Sequence, residues 1–536
     1  MTVHSLRFRC WQIALWGLLL ANVVVAADAN PRCPNFVVIM ADDLGYSDIG
    51  CYGSEIQTPH LDSLAAGGLR FTNFYNTARC WPTRAALLTG YYAQQVRRDK
   101  IPGVKSGSQG TRPVWAPLLP VALKPQGYRS YHSGKWHVDN KPIAAGFDRS
   151  YWLEDGGRNF HPKVHYADDI KLPAVKPDTS YYSTRYITEQ AIEHLQEHAQ
   201  KHADRPFFQY VAYVAPHFPL HALPEDIAKY KDTYRVGWEV IRAARWKKMQ
   251  EIGLVAGELS AVEREVGPPY PFPKEIALFG PGEVNRPLPW AELTPEQQEF
   301  QATKMAIHAA MIDRIVQEIG RLLQQIRDMG QWDNTVVMFL SDNGASAEMM
   351  VRDDGHDPTA APGSAATHLC LGPGWSTVSN TPFRRHKTWV HEGGIATPLI
   401  VHGPSVVKAK GELRHQPGHV IDLWPTLTGL AGVAPAPAPA PEQEGVPLRS
   451  GLALDLGLET EWENREIWWA HEENRAIRSG DWKLVAAKGD PWALYDMKAD
   501  RAEQKDLAAE HPEKAKILEA RWEQLAAEYQ QQAQLP

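Results

Sequence analysis

The stretch Asn35-Phe-Val-Val-Ile-Met-Ala-Asp-Asp-Leu-Gly45 opens as an unbroken apolar run and closes on two adjacent carboxylates and a glycine. Alternating polarity would mark a strand with one wet face. A continuous run instead marks a strand covered on both faces, as in a parallel sheet sandwiched by helices. The same grammar returns at Asn334-Thr-Val-Val-Met-Phe-Leu340, which ends in Ser-Asp-Asn-Gly. A third run, Phe207-Phe-Gln-Tyr-Val-Ala-Tyr-Val214, leads into Ala-Pro-His-Phe-Pro. Helix-like segments at 181–198 and 298–329 separate these runs, so strands and helices alternate in α/β fashion.

At 536 residues the chain exceeds one ordinary core. We expect a large α/β domain over 33–433 and a smaller α+β domain over 446–536. The linker between them, 434–445, contains the stiff proline-rich spacer APAPAPAP. The smaller domain opens with strand-like REIWWAHE and NRAIRSGDWKLVAA and closes with the amphipathic PEKAKILEARWEQLAAEY. Residues 345–386, rich in glycine, proline, serine and alanine, read as one long loop. Apolar content of 43% with 22% charged residues describes a soluble globular protein. The formal charge of −7 argues against a nucleic-acid or anionic-membrane binder, so any anion handled here needs a local basic cluster.

The N-terminus carries arginines, an apolar stretch and then the small-residue segment AADA, the layout of a secretory signal peptide over 1–27. The expected location is therefore secreted or periplasmic. A membrane anchor is the competing reading, disfavoured by that cleavable-looking end. Cys10 leaves with the signal, and Cys33, Cys51, Cys80 and Cys370 are too few for a disulfide framework in so long a chain.

Ligand sites of open α/β sheets gather at the carboxyl ends of strands. Asp42-Asp43 and Asp342-Asn343 both stand at such ends, and together they offer only oxygen ligands, which suits a hard cation such as Ca²⁺ better than zinc. Singly, each pair reads as a turn cap. In Ala78-Arg-Cys-Trp-Pro-Thr-Arg-Ala-Ala-Leu-Leu-Thr-Gly90, Pro82 marks the first turn of a helix, so Cys80 sits at the helix entrance, where anions are favoured, with Arg84 on about the same face. A buried inert thiol, a half-disulfide and a nucleophile all remain open for Cys80 at this point. Lys135, His137, His217 and Lys387 fall in loops that follow strand- or helix-like segments; singly, each reads as an ordinary polar group.

These residues carry a resemblance. Cys80, Pro82 and Arg84 with Leu87, Thr89 and Gly90 reproduce the C-x-P-x-R…L-x-T-G motif of the type I sulfatases. Gly127 to His137 reproduces their second signature, G-Y-x-S-x-x-x-G-K-W-H. The DD-x-G, P-H-x-P, S-D-N-G and K-x-x-x-x-E-G-G segments follow in family order, so the chain is similar to this family, close to its bacterial arylsulfatase branch, over about residues 35–530. Trp81 is a bulky occupant of the motif's free position.

The resemblance implies an alkaline-phosphatase-like fold and hydrolysis of aryl or carbohydrate sulfate esters. It implies that a separate maturase converts Cys80 to formylglycine, whose hydrate attacks sulfur with one hydroxyl and expels sulfate with the other. Asp42, Asp43, Asp342 and Asn343, with the residue at 80, are implied to hold Ca²⁺. Arg84 would hold the diol, Lys135 and Lys387 the sulfate oxygens, while His137 would start elimination and His217 would protonate the leaving oxygen. A phosphatase or phosphodiesterase of the same fold is the alternative enzyme; it commonly reads S-D-H-G where this chain has Asn343. A non-catalytic binder of sulfated glycans is the third reading, against which the complete Cys80 motif counts.

Overall fold

The apolar runs form the middle of one large sheet. In chain order its strands are β1 (Asn35–Asp42), β2 (Leu69–Tyr75), β3 (Arg129–Lys135), β4 (Arg149–Leu153), β5 (His165–Ala167), β6 (Ile170–Lys171), β7 (Phe207–Pro216), β8 (Thr335–Ser341), β9 (Ala396–His402), β10 (Glu412–Arg414) and β11 (Gly418–His419). The computed structural model of the chain describes residues 1–2, 33–154, 159–177, 179–352, 355–433, 440–448 and 465–536. The expected signal peptide beyond Thr2, and residues 434–439 of the expected linker, lie outside the described residues.

The strands lie in the order β10-β2-β9-β8-β1-β7-β3-β4-β5-β6, with β11 also on β2. The central strands β8, β1, β7, β3 and β4 run parallel, and β9 is antiparallel to both its neighbours, so the sheet is mixed. All eight residues of β1 are buried. Val37, Ile39 and Ala41 enter one apolar cluster, whereas Phe36, Val38 and Met40 enter the other, the two-faced burial that a continuous apolar run demands. The first face is covered by the helices Ser183–Lys201 and Pro295–Asp328. Thr294 and Gln297 start the longer of these with reciprocal side-chain to backbone hydrogen bonds.

Residues 345–386 differ from the expected loop. They contain the helix Gly372–Ser379, seven of whose eight residues are buried, including Trp375, which donates to the Gln301 carbonyl at 2.7 Å. Burial of that indole overrides the poor helix propensity of its glycines and proline. Lys135, expected in a loop, is instead the last residue of β3.

At the C-terminus, β12 (Glu466–His471), β13 (Asn474–Ser479), β14 (Trp482–Ala486) and β15 (Ala493–Asp496) form an antiparallel sheet, followed by the helix Pro512–Gln532. Trp468 and Trp522 stack at 5.6 Å to join that helix to the sheet. Trp469 donates to the Asn76 carbonyl at 2.8 Å, and Lys483 pairs with Glu392 at 2.9 Å. The first contact fastens the small sheet to the segment that leads into Cys80, and the second to the helical turn before β9. Among the described residues no helix is long and apolar enough to cross a membrane, and Cys33, Cys51 and Cys370 are free thiols.

Candidate active site

Strand register explains why distant motifs meet. Ala41 pairs with Ser341 across β1 and β8, so Asp42 and Asp342 leave the sheet at the same level. Gly134 pairs with Ala212 across β3 and β7, which brings Lys135 and the chain leading to His217 to the same edge. Gly134 adopts φ +118°, and a Cβ there would meet the Ala212 carbonyl oxygen at 1.9 Å, so only glycine lets β3 deliver Lys135 at this point.

Cys80 begins the helix Cys80–Thr89 after Arg79, whose extended backbone ends the preceding segment. The thiol residue is 3% exposed. Asp42, Cys80 and Asp342 each offer a ligand atom within 4.8 Å of the others, and so do Asp42, Asp43 and His217.

Four cationic side chains thread this acidic group. Lys135 Nζ donates to Asp42 Oδ2 at 2.6 Å, and Lys387 Nζ lies 2.8 Å from Asp43 Oδ1 and 3.1 Å from Glu348 Oε2. Arg84 is fully buried, sends Nε and Nη2 to Asp342 Oδ2 at 3.1 and 2.7 Å, and donates from Nη1 to the Lys135 carbonyl at 3.1 Å. Arg79 pairs with Glu348 at 3.0 Å. Two arginines and two lysines thus face the four acids Asp42, Asp43, Asp342 and Glu348.

Burial would raise the Asp42 carboxyl, but Lys135, His217 and Arg84 outweigh it and hold it below the usual range. Its neighbour goes the other way: burial, and next the Asp42 charge, push Asp342 up to about 7. Two carboxylates this close and this dry resist double ionisation. Burial likewise opposes ionisation of Glu348, yet Arg79 and Lys387 pull it well below the usual glutamate range.

The donor set fits a hard cation. Asp42 Oδ1 and Asn343 Oδ1 are buried acceptors without hydrogen-bond partners, while Asn343 Nδ2 donates to Asp43 Oδ1 at 2.6 Å. Buried orphan acceptors are costly unless something occupies them, and a divalent ion with oxygen preference would take both and lift the Asp342 proton. His217 donates from Nδ1 to the Phe218 carbonyl at 2.5 Å, which turns Nε2 toward Asp43 Oδ2, 3.7 Å away. His137 takes φ +53° and lies edge-on to Trp81, with ring centroids 5.7 Å apart.

The structure therefore brings Asp42, Asp43, Cys80, Arg84, Lys135, His217, Asp342, Asn343 and Lys387 into one buried group, with the His137 ring against Trp81, the neighbour of Cys80. Arg79 and Glu348 were missed from sequence. Arg79 directly precedes the motif cysteine, which was a usable signal. Glu348 is a single acid in a segment without periodicity, and nothing local marks it.

The family model named Sulfatase matches residues 34–433. The chain is 31% identical to an uncharacterized sulfatase of Schizosaccharomyces pombe, over 90% of this chain and 92% of that one. It is 30% identical to an arylsulfatase of Klebsiella aerogenes, over 76% of this chain and 88% of the other. Among solved structures, one in complex with k-i-k-neocarrahexaose is similar with a TM-score of 0.66 and 23% identity, covering 94% of each chain. Another, in complex with its substrate D-glucosamine-2-N,6-O-disulfate, has a TM-score of 0.63 and 21% identity, covering 93% of this chain and 99% of that one. The fold is thus the alkaline-phosphatase-like one of sulfatases, a mixed sheet between helices with a C-terminal antiparallel sheet.

Proposed function

The chain belongs to the sulfatase family and is a sulfuric ester hydrolase; on that premise we propose that it cleaves aryl or carbohydrate sulfate monoesters, with Cys80 in its formylglycine form as nucleophile and Ca²⁺ as the metal. The observation that carries this reading is the meeting of both strand-end acid pairs with Cys80 inside a ring of buried cations. Asp42, Asp43, Asp342 and Asn343 would hold the ion, which supplies a fixed positive charge for polarising a sulfate oxygen and favouring an ionised nucleophile. The hydrated aldehyde at position 80 supplies two oxygens, one to attack sulfur and one to expel sulfate.

The remaining work falls to the chain's own side chains. Lys135 and Lys387, anchored on Asp42 and Asp43, present ammonium groups to the sulfate oxygens. Arg84 keeps the Asp342 carboxylate in one orientation and adds charge beside position 80. His217, its tautomer fixed by the Phe218 carbonyl, offers Nε2 to protonate the leaving oxygen. His137 takes the proton that allows sulfate to leave. A formylglycine-generating maturase is the transient partner, and residues 1–27 direct export to the periplasm or beyond.

Only one histidine, His217, joins the metal-competent groups among the described residues. The oxygen-rich remainder favours this reading over a zinc phosphatase, whose sites take several nitrogen ligands. The test is a pair of matched esters: protein co-produced with a maturase should show a higher kcat/KM for 4-nitrophenyl sulfate than for 4-nitrophenyl phosphate. A preference for the phosphate would overturn the proposal.

A further inference from the structure

Trp81, in the motif's free position beside Cys80, is half-buried and packs against two imidazoles. The His137 and His471 rings each lie edge-on 5.7 Å from it, and the Arg79 guanidinium lies 5.2 Å from its ring centroid. His471 ends β12, so it comes from the C-terminal sheet. Its Nδ1 donates to Asp99 Oδ2 at 2.8 Å, and that carboxylate also accepts from Gln94 Nε2 at 3.2 Å. The Asp99 bond fixes the ring orientation and leaves Nε2 as the ring's other polar atom. His471 Nε2 is buried with no hydrogen-bond partner, Glu472 Oε1 being too distant at 3.8 Å. Trp81 Nε1 is likewise buried without a partner.

We propose that Trp81 and the Asp99–His471 pair form the subsite for the leaving alcohol, and that it takes a hydroxylated ring rather than a plain phenol. This rests on the hydrolase reading above, and it adds the part of the substrate recognised and the residues that recognise it. A pin fastening the C-terminal hairpin to the body of the protein would need only the Nδ1 bond. Nε2 and the indole N–H, adjacent through the ring contact and both without a hydrogen-bond partner, have no role in such a pin. A pyranose bearing a hydroxyl next to its sulfate ester supplies an acceptor for the indole and a partner for the imidazole, while its apolar face rests on an aromatic side chain. A phenyl leaving group satisfies neither polar atom. Sites built to hydrogen-bond a substrate hydroxyl discriminate against analogues that lack it. His471 touches the alcohol; Asp99 is a positioning residue that acts through His471.

The test compares matured parent, Trp81→Phe, which keeps the ring and removes the N–H, and His471→Gln, on a panel of pyranose monosulfates and on 4-nitrophenyl sulfate. The ratio of kcat/KM for the best sugar to kcat/KM for the aryl ester should fall about 10- to 100-fold in each variant. Asp99→Asn should lower the same ratio with the loss mainly in KM, a split that a folding defect, which removes active enzyme for both esters alike, would not produce. An unmoved ratio in both Trp81→Phe and His471→Gln, or a parent active on the aryl ester and on no sugar of the panel, would overturn the subsite alone. Absence of sulfate release from every ester by parent shown to carry the aldehyde would overturn the hydrolase reading and the subsite with it.

Discussion

Replacing Asp48 by asparagine tests how the Asp42-Asp43 turn is held. Asp48 is fully buried one turn beyond the acid pair. Its Oδ2 accepts the Gly45 N–H at 3.0 Å and faces His308 Nε2 at 3.1 Å, while Arg245 pairs with Oδ1 at 2.7 Å. Burial alone would raise its pKa, but His308 and Arg245 outweigh burial and lower it from 3.8 to about 2. A depression of nearly two units corresponds to about 2–3 kcal/mol favouring the charged folded form. Breaking a buried pair by removing one partner costs about 3–5 kcal/mol in general; since Arg245 keeps Glu55 at 2.8 Å, the lower end applies here. Asp48→Asn should therefore destabilise the protein by about 3 kcal/mol at pH 7, read from denaturant unfolding followed by tryptophan fluorescence. Because the folded pKa lies below the unfolded one, the charged form's contribution is complete above about pH 4 and fades as pH falls toward 2. The gap between parent and variant should accordingly narrow as pH falls from 4 toward 2. A midpoint shift worth less than about 0.5 kcal/mol, the range of ordinary surface changes, with full activity retained, would refute the role given to this network.

Chelation should abolish turnover, and Ca²⁺ should restore it where zinc does not. Saturating Ca²⁺ at about 100 times its Kd should also stabilise the protein by about 2.7 kcal/mol, an effect that Asp342→Asn should remove; a protein whose unfolding ignores Ca²⁺ would contradict the ligand set. His217→Ala should impose a penalty that grows with the pKa of the leaving alcohol, severe for sugar sulfates and small for nitrophenyl sulfates. A flat dependence in a series of aryl sulfates would show that His217 is not the proton donor.

Much of the site was legible because chemistry clustered at strand ends. The runs before Asp42 and Asp342 announced two-faced burial, and adjacent acids at both ends announced a shared ligand. What sequence could not show was register: only the pairing of Ala41 with Ser341 puts the two acid pairs at one level. The helix Gly372–Ser379 was hidden because Gly-Pro-Gly-Trp argues against a helix locally, and the burial of Trp375 overrides that from a distance. Glu348 was invisible for a similar reason, since its meaning lies in a pairing with Arg79 across 269 positions of sequence. The Asp99–His471 contact spans 372 positions and joins the C-terminal sheet to a loop beyond the motif helix. Neither residue carries any sign of the other.

The measurement that bears most directly on the chemistry is the state of Cys80 in active protein. Peptide mass spectrometry combined with an aldehyde-reactive probe would read it, on protein produced with and without a maturase. The fraction of chains carrying an aldehyde at position 80 should rise in proportion to sulfate released per chain, and Cys80→Ala should be inert to the probe and inactive. Full activity in a preparation whose Cys80 is entirely free thiol would contradict the mechanism at its root.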